Sequence, residues 1–259
     1  MNIEAQPAVK GKKIRSILIS QPEPANGRSP YYDVEEKFDV RVDFQQFIHV
    51  EGLTAKDFRK QKIDINEFTA VVFTSRHAID HFFRICEKMK VDISSDLKYF
   101  CARETVALYL QKYVQYRKRK IFFPESGRTK DLLGIIKKYK SKETFIVPSS
   151  EQSKNDIPNW LKENKVKYKK AIMYQTVCND VNEVVANGYD MIIFFSPSGV
   201  KALRESVPDF EQNNTAIAAF GKTTSKAVED MGFRLDLKAP TTKAPSMVSA
   251  LKSFLKKEE

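Results

Sequence analysis

The sequence predicts an α/β protein made of two doubly wound parallel-sheet domains. Three observations lead there. Short apolar runs alternate with amphipathic stretches along most of the 259 residues. Blocks of the second half repeat blocks of the first in the same order. The second repeated half lacks a beginning, and the first segment of the chain, a βαβ unit with no complete domain around it, supplies what that half lacks.

Taken in order, "SILIS" (16–20) reads as a strand, "SPYYDVEEKF" (29–38) as a helix and "DVRVDF" (39–44) as a second strand, one βαβ unit. The strand-like "QFIHV" (46–50) then carries the chain into a second domain. There "AVVFTS" (70–75), "KYFCA" (98–102), "KIFF" (120–123) and "TFIVPS" (144–149) are strands. "HAIDHFFRICEKM" (77–89) and "DLLGIIKKY" (131–139) place apolar residues at helical spacing. "AIMYQTV" (171–177) is the return crossing, and "MIIFFS" (191–196) and "AIAAFG" (216–221) are further strands of the first domain. Such alternation puts helices on both faces of parallel sheets.

The repeat fixes the domain plan. "FTAVVFTSRHAIDHFF" (68–83) lies over "YDMIIFFSPSGVKALR" (189–204), with Ser75 on Ser196 at an offset of 121. "CARETVALYL" (101–110) lies over "FGKTTSKAVE" (220–229), with Thr105 on Thr224 at an offset of 119. "FFPESGRTKDLLGII" lies over "KAPTTKAPSMVSAL", with Pro124 on Pro240 at an offset of 116. Joining 1–45 to 179–259 makes a discontinuous domain of five strands, the number in a flavodoxin-like sheet. Residues 46–178 form the inserted domain, and two strand-like crossings tether the pair around an expected cleft.

Composition narrows the function. A hydrophobic content of 42% supports a packed core. The excess of 44 basic over 33 acidic residues, a formal charge of +11, favours anionic partners. Cys86, Cys101 and Cys178 are odd in number and far apart, so no disulfide framework is expected and a reducing cytoplasm is the expected setting. The opening "MNIEAQPAVKGKK" has no apolar stretch, so neither a secretory signal nor a membrane span is expected.

In an open parallel sheet, ligands bind beyond the carboxyl ends of the strands, where helix N-termini offer free N–H groups and a positive dipole end. Ser75, Ser196, Ser198, Thr223 and Thr224 fall at such turns. Gly199 and Gly221 are expected to let a ligand approach the backbone. Singly, each hydroxyl reads as an ordinary N-cap contributing about 1 kcal/mol. As a set, repeated in both halves, they make a candidate anion site.

Familiar catalytic signatures are missing. There is no GxxxxGK[ST], GxGxxG or GxSxG, and "FGKTTSKA" lacks the earlier glycine of a phosphate loop. His77, Asp80 and His81 have an HxxDH spacing without the metalloprotease glutamate, so no metal is expected. Charge stabilisation and geometry are the expected means of any catalysis.

The sequence resembles the uroporphyrinogen-III synthase family. The resemblance rests on "VVFTSRHAIDHFF", "IMYQT", "IIFFSPSGVKAL", "IAAFGKTTSKAVEDMGF" and "APTTKAPSMVSAL", and covers most of the chain from about residue 68. It implies a lyase that cyclises the linear tetrapyrrole hydroxymethylbilane, inverting its last ring, with no cofactor. The terminal hydroxyl leaves as water, an azafulvene cation forms, and a spiro intermediate fragments and recloses. The substrate bears eight carboxylates.

Carried over by position, the resemblance makes Tyr174 the residue that assists hydroxyl loss. It makes Ser75, Arg76, Thr105, Lys154, Ser196, Ser198, Gly199, Lys222, Thr223 and Thr224 substrate-binding. Lys154 stands where the family often has arginine, keeping the charge and losing the bidentate fork. Gln21 replaces a usual arginine, and Ala102 a usual glycine before "RETVA". The expected partners are the tetrapyrrole polycarboxylate and the preceding pathway enzyme, for a monomer that binds neither nucleic acid nor membrane. The main alternative is a non-catalytic two-lobed receptor for a polyanionic metabolite. A nucleic-acid binder would need basic and aromatic residues interleaved on one surface, and only "YVQYRKRKIFF" (113–123) hints at that.

Overall fold

A computed structural model describes residues 13–256; the opening segment weighed above for a signal lies almost wholly outside them. In chain order the elements begin with β1 (Ser16–Ile19), α1 (Tyr32–Phe38), β2 (Arg41–Phe44), β3 (Ile48–Gly52) and α2 (Ala55–Arg59). They continue with β4 (Ala70–Phe73), α3 (Arg76–Met89), β5 (Lys98–Cys101), α4 (Glu104–Tyr109), β6 (Ile121–Phe122) and α5 (Thr129–Lys137). Next come β7 (Phe145–Ser150), α6 (Asp156–Glu163), β8 (Tyr168–Cys178) and α7 (Asn182–Ala186). The chain ends with β9 (Met191–Phe194), α8 (Pro197–Ser206), β10 (Ala216–Phe220), α9 (Lys222–Asp230), β11 (Leu237–Ala239) and α10 (Met247–Leu255). None of the described helices is long and apolar enough to cross a membrane.

Two compact units result. The first combines the described residues up to His49 with those from Val177 onward; the second is Val50–Thr176. The chain passes between them along β3 and β8, which are neighbours in one sheet.

The first unit holds a five-stranded sheet in the order β11-β10-β9-β1-β2, with parallel pairing throughout. Read from its other edge, that is the flavodoxin-like order 2-1-3-4-5. Alternation along β9 sends Met191 and Ile193 to one face, with Leu251 of α10, and Ile192 and Phe194 to the other, with Val200 and Leu203 of α8. Both faces are therefore covered, which is why these strands are apolar throughout.

The second unit is a six-stranded sheet, β3-β8-β7-β4-β5-β6. β4 alternates in the same way: Val71 and Phe73 face Ile79 and Phe82 of α3, while Ala70 and Val72 face Leu132 of α5 and Leu161 of α6. α3 buries Ala78, Ile79, Phe82, Ile85 and Cys86, a helical stripe, and ends where Lys90 takes a left-handed conformation (φ 57°). Phe73 and Phe82, both fully buried, meet edge to face at 5.5 Å. Burying each ring contributes roughly 2–3 kcal/mol.

The two sheets are alike in a way that chain order hides. Matched by position, β1 corresponds to β7, β2 to β8, β9 to β4, β10 to β5 and β11 to β6. The chain therefore runs twice through one five-strand unit, and each sheet combines the first two strands of one copy with the last three of the other.

Strand registers refine the sequence alignment. Ala70 pairs with Lys98 as Met191 pairs with Ala216, so Lys98 corresponds to Ala216, an offset of 118 rather than 119. Phe100 pairs with Phe122 as Ala218 pairs with Leu237, an offset of 115 rather than 116. Thr105 therefore corresponds to Thr223, not Thr224, and buried Val106 is the counterpart of Thr224.

Candidate functional site

In the first unit the expected residues gather where β9 and β10, adjacent strands, run into α8 and α9. Ser196 caps α8: it is extended (φ −149°), and its Oγ accepts the Gly199 N–H at 3.1 Å. Pro197 follows at the first helical position, where its missing N–H costs nothing. Ser198 is half-buried in the first turn. Gly221, at φ +91°, adopts a backbone that side-chain-bearing residues rarely take, and opens α9 with exposed Lys222 and Thr223 behind it.

Gly199 is buried in the first turn of α8, and a methyl group there would meet only ordinary contacts at 3.5–3.6 Å, with Ser196, Phe194 and Ser20. Thr224 is 2% exposed and turned inward. Ser20, at the end of β1 and 8% exposed, was missed by sequence reasoning. Neither the Thr224 nor the Ser20 hydroxyl has a hydrogen-bonding partner among the described residues. Buried unpaired hydroxyls are uncommon and costly, so two at one sheet edge beside two helix starts mark a place suited to a polar ligand.

In the second unit, Ser75 stands two residues beyond β4 and caps α3 by accepting the Ala78 N–H at 3.1 Å. Its Oγ also lies 3.3 Å from the hydroxyl of Tyr174 on β8. Tyr174 is 7% exposed, with its ring in the core layer beneath α3. The expected catalytic residue and one expected binding residue are thus in contact, although 99 positions apart.

The other expected residues stand apart. Arg76, exposed, places its guanidinium 5.3 Å from the Tyr109 ring centre. Thr105 is exposed in the first turn of α4, and Lys154 is exposed in the segment before α6. Ala102 and Gln21 both follow strand ends, β5 and β1 respectively.

Sequence reasoning considered the α3 imidazoles only as metal ligands. Instead, His81 stacks on Tyr174, with ring centres 5.0 Å apart and planes 21° apart, and His77 lies 6.2 Å from the same ring. Arg84 Nε donates to His81 Nδ1 at 3.1 Å. Burial, Arg84 and His77 push the His81 pKa down, against a smaller upward pull from Asp80. Asp80 faces away, accepting from Tyr113 (2.6 Å) and Tyr109 (2.8 Å). Burial works against its ionisation, yet these bonds and Lys112 hold its carboxyl below the usual range. No group of metal-ligating side chains occurs among the described residues.

Two cavities of about 310 and 350 Å³ in the second unit share Phe83, Ile93 and Tyr113 as walls and contain none of the expected site residues. The first is lined by Ser94 and Ser95, just before β5, and Lys120, just before β6, at the amino ends of the strands. Ligands of open parallel sheets bind at the opposite ends, so the Ser75–Tyr174 edge is the stronger candidate.

Comparison with known proteins bears on the family and the fold. A family model described as "Uroporphyrinogen-III synthase HemD" matches residues 36–249. No curated protein matches. Among solved structures, the uroporphyrinogen-III synthetase of Helicobacter pylori is similar over 94% of this chain and 99% of its own, at 18% identity and a TM-score of 0.57. A mutant uroporphyrinogen III synthase from Thermus thermophilus is similar over 94% of this chain and 100% of its own, at 14% identity and a TM-score of 0.54. At these identities the likeness is one of fold.

Proposed function

This chain belongs to the uroporphyrinogen-III synthase family, and from that premise we propose that it cyclises hydroxymethylbilane to uroporphyrinogen III, inverting the last ring, without a cofactor. The observation that supports this best is the contact between the Tyr174 hydroxyl and Ser75 Oγ at the carboxyl edge of a parallel sheet.

The reaction needs a proton donor for the departing hydroxyl, and polar groups to hold carboxylates while the chain folds on itself. Tyr174 is the donor: its phenol gives a proton as the terminal C–O bond breaks, water leaves, and an azafulvene cation remains. Attack by the substituted carbon of the last ring, fragmentation and reclosure follow from the substrate's own reactivity. In the first unit the starts of α8 and α9 offer backbone N–H groups to carboxylates, with Ser196, Lys222 and Thr223 at those turns. In the second unit the start of α3 does the same with Arg76, and Lys154 adds a charge before α6.

The same reading takes the protein to be a cytoplasmic monomer supplied by the preceding pathway enzyme. Three free cysteines fit a reducing compartment. The test is to generate hydroxymethylbilane in situ and identify the porphyrinogen formed. Mainly type III is expected; only the symmetric type I isomer, the spontaneous product, would overturn the proposal.

A further inference from the structure

We propose that His81 is a positioning residue for Tyr174, held as a neutral imidazole with its proton on Nε2 by Arg84, and seated against Gly52. The proposal rests on the reading of Tyr174 as the proton donor.

The tautomer follows from donor counting. Arginine has only donors, so a bond from Arg84 Nε to His81 Nδ1 requires a lone pair on Nδ1 and leaves the ring proton on Nε2. An imidazolium has no such lone pair, so protonating His81 would break the bond and set two cations side by side. The depressed His81 pKa agrees with that geometry.

The same arginine grips the strand that carries the phenol. Its Nη2 donates to the Leu53 carbonyl at 2.8 Å and to the Met173 carbonyl at 3.3 Å, the residue next to Tyr174. One guanidinium thus ties β8, the segment after β3, and the ring that lies on Tyr174. Gly52 completes the seat. A Cβ there would collide with Arg84 and lie 2.6 Å from His81 Nδ1, so the pair fills the space a side chain would need.

Tyr174 is then held at two points: its face by His81 and its hydroxyl by Ser75, itself pinned by the Ala78 N–H. The ring torsion of tyrosine is broad, so a stacked neighbour narrows where the hydroxyl points. A proton donor works only within hydrogen-bonding reach of its target, so that narrowing has a kinetic consequence.

The test uses the full-length chain labelled at tyrosine Cζ, with the Tyr174 signal identified by its loss in Tyr174→Phe. In His81→Ala that signal should move. kcat for type III formation should fall about 10- to 100-fold with KM nearly unchanged. His81→Phe, which keeps a flat ring, should recover most of the rate. In a Tyr174→Phe background, His81→Ala should add no further loss, because it acts through the missing hydroxyl. An unmoved Tyr174 signal, or an equal added loss in that background, overturns the proposal.

Imidazole ¹⁵N spectra of the unmutated protein should show His81 in one tautomer, and Arg84→Met should mix the two; a mixture in the unmutated protein also overturns the proposal. If that protein makes only type I isomer, the activity reading fails while the NMR signals still decide the positioning.

Discussion

Ser16 and Asp190, 174 positions apart, hold each other through both backbone and side chain. Asp190 Oδ2 accepts from the Ser16 N–H at 3.1 Å, the Ser16 hydroxyl at 3.2 Å and the Arg15 N–H at 2.9 Å. The Asp190 N–H returns a bond to the Ser16 carbonyl at 3.1 Å. Directly beyond, Ile17 pairs with Met191, so this contact stands at the first rung joining the two segments of the discontinuous unit. Asp190→Ala strands two backbone donors and is expected to lower unfolding free energy by about 2–3 kcal/mol. Urea titration measures it, and a change under about 0.5 kcal/mol, the ordinary surface value, would remove Asp190 from this role.

Ser196 separates capping from ligand binding. Ser196→Ala removes the acceptor for Gly199 N–H and should cost about 1 kcal/mol. Ser196→Asp keeps a capping oxygen, so stability should stay near that of the unmutated protein. The added carboxylate sits where substrate carboxylates are proposed to bind, and KM should rise about tenfold, equivalent to about 1.4 kcal/mol. An unchanged KM with intact stability would confine Ser196 to capping.

The plan of the fold was legible because buried strands and amphipathic helices leave different periods. Met191–Phe194 and Ala70–Phe73 are apolar at every position, as strands covered on both faces must be. The correspondence of β1 and β2 with β7 and β8 was not legible. Ser16–Ile19 and Phe145–Ser150 share only apolar character, and so short a run identifies a strand without identifying which one. The one-residue slips at Thr105 and Pro124 have a similar origin, since helices tolerate small displacements that strand pairing forbids. At the site, hydroxyls at strand ends pointed to Ser75 and Ser196. Ser20 gave no signal, because its role depends on lying beside Gly199, remote in sequence. The contact of His81 with Tyr174 was not legible, because HxxDH spacing shows which groups share a helix face, not that Arg84 occupies one ring nitrogen.

Burial makes the thiols poor nucleophiles and sets an alkaline limit to stability. Burial pushes Cys86 and Cys101 up to about 12, and burial with a bond to Glu205 pushes Cys178 to about 11. At pH 8 a thiol reagent should therefore label the folded protein slowly and all three sites after unfolding. These groups stay protonated in the folded chain while the unfolded chain ionises. Their contribution is full below the ordinary thiol value near 9 and is lost as pH rises from there toward 12. Tyr31 and Tyr99, raised by burial to about 12, join above 10. Each of the buried groups, Cys86, Cys101, Tyr31 and Tyr99, adds up to about 1.4 kcal/mol per pH unit to the slope, and the more exposed Cys178 adds less. A urea midpoint that stays flat from pH 8 to 11 would contradict this.

Tyr174→Phe separates catalysis from packing. The ring is in the core and phenylalanine keeps it, so the stack on His81 persists and only the hydroxyl is lost. Ser75 loses one neighbour but still accepts from Ala78, so the folding cost should be about 1 kcal/mol or less. If the phenol protonates the departing hydroxyl, type III formation should slow by about 100-fold, the low end for a positioned acid. Product isomer and rate are read in one assay. Loss of rate with type III retained assigns Tyr174 to hydroxyl departure. Loss of isomer control would instead tie it to how the last ring is held. A rate equal to that of the unmutated enzyme would take Tyr174 out of the chemistry and leave Ser75 a helix cap.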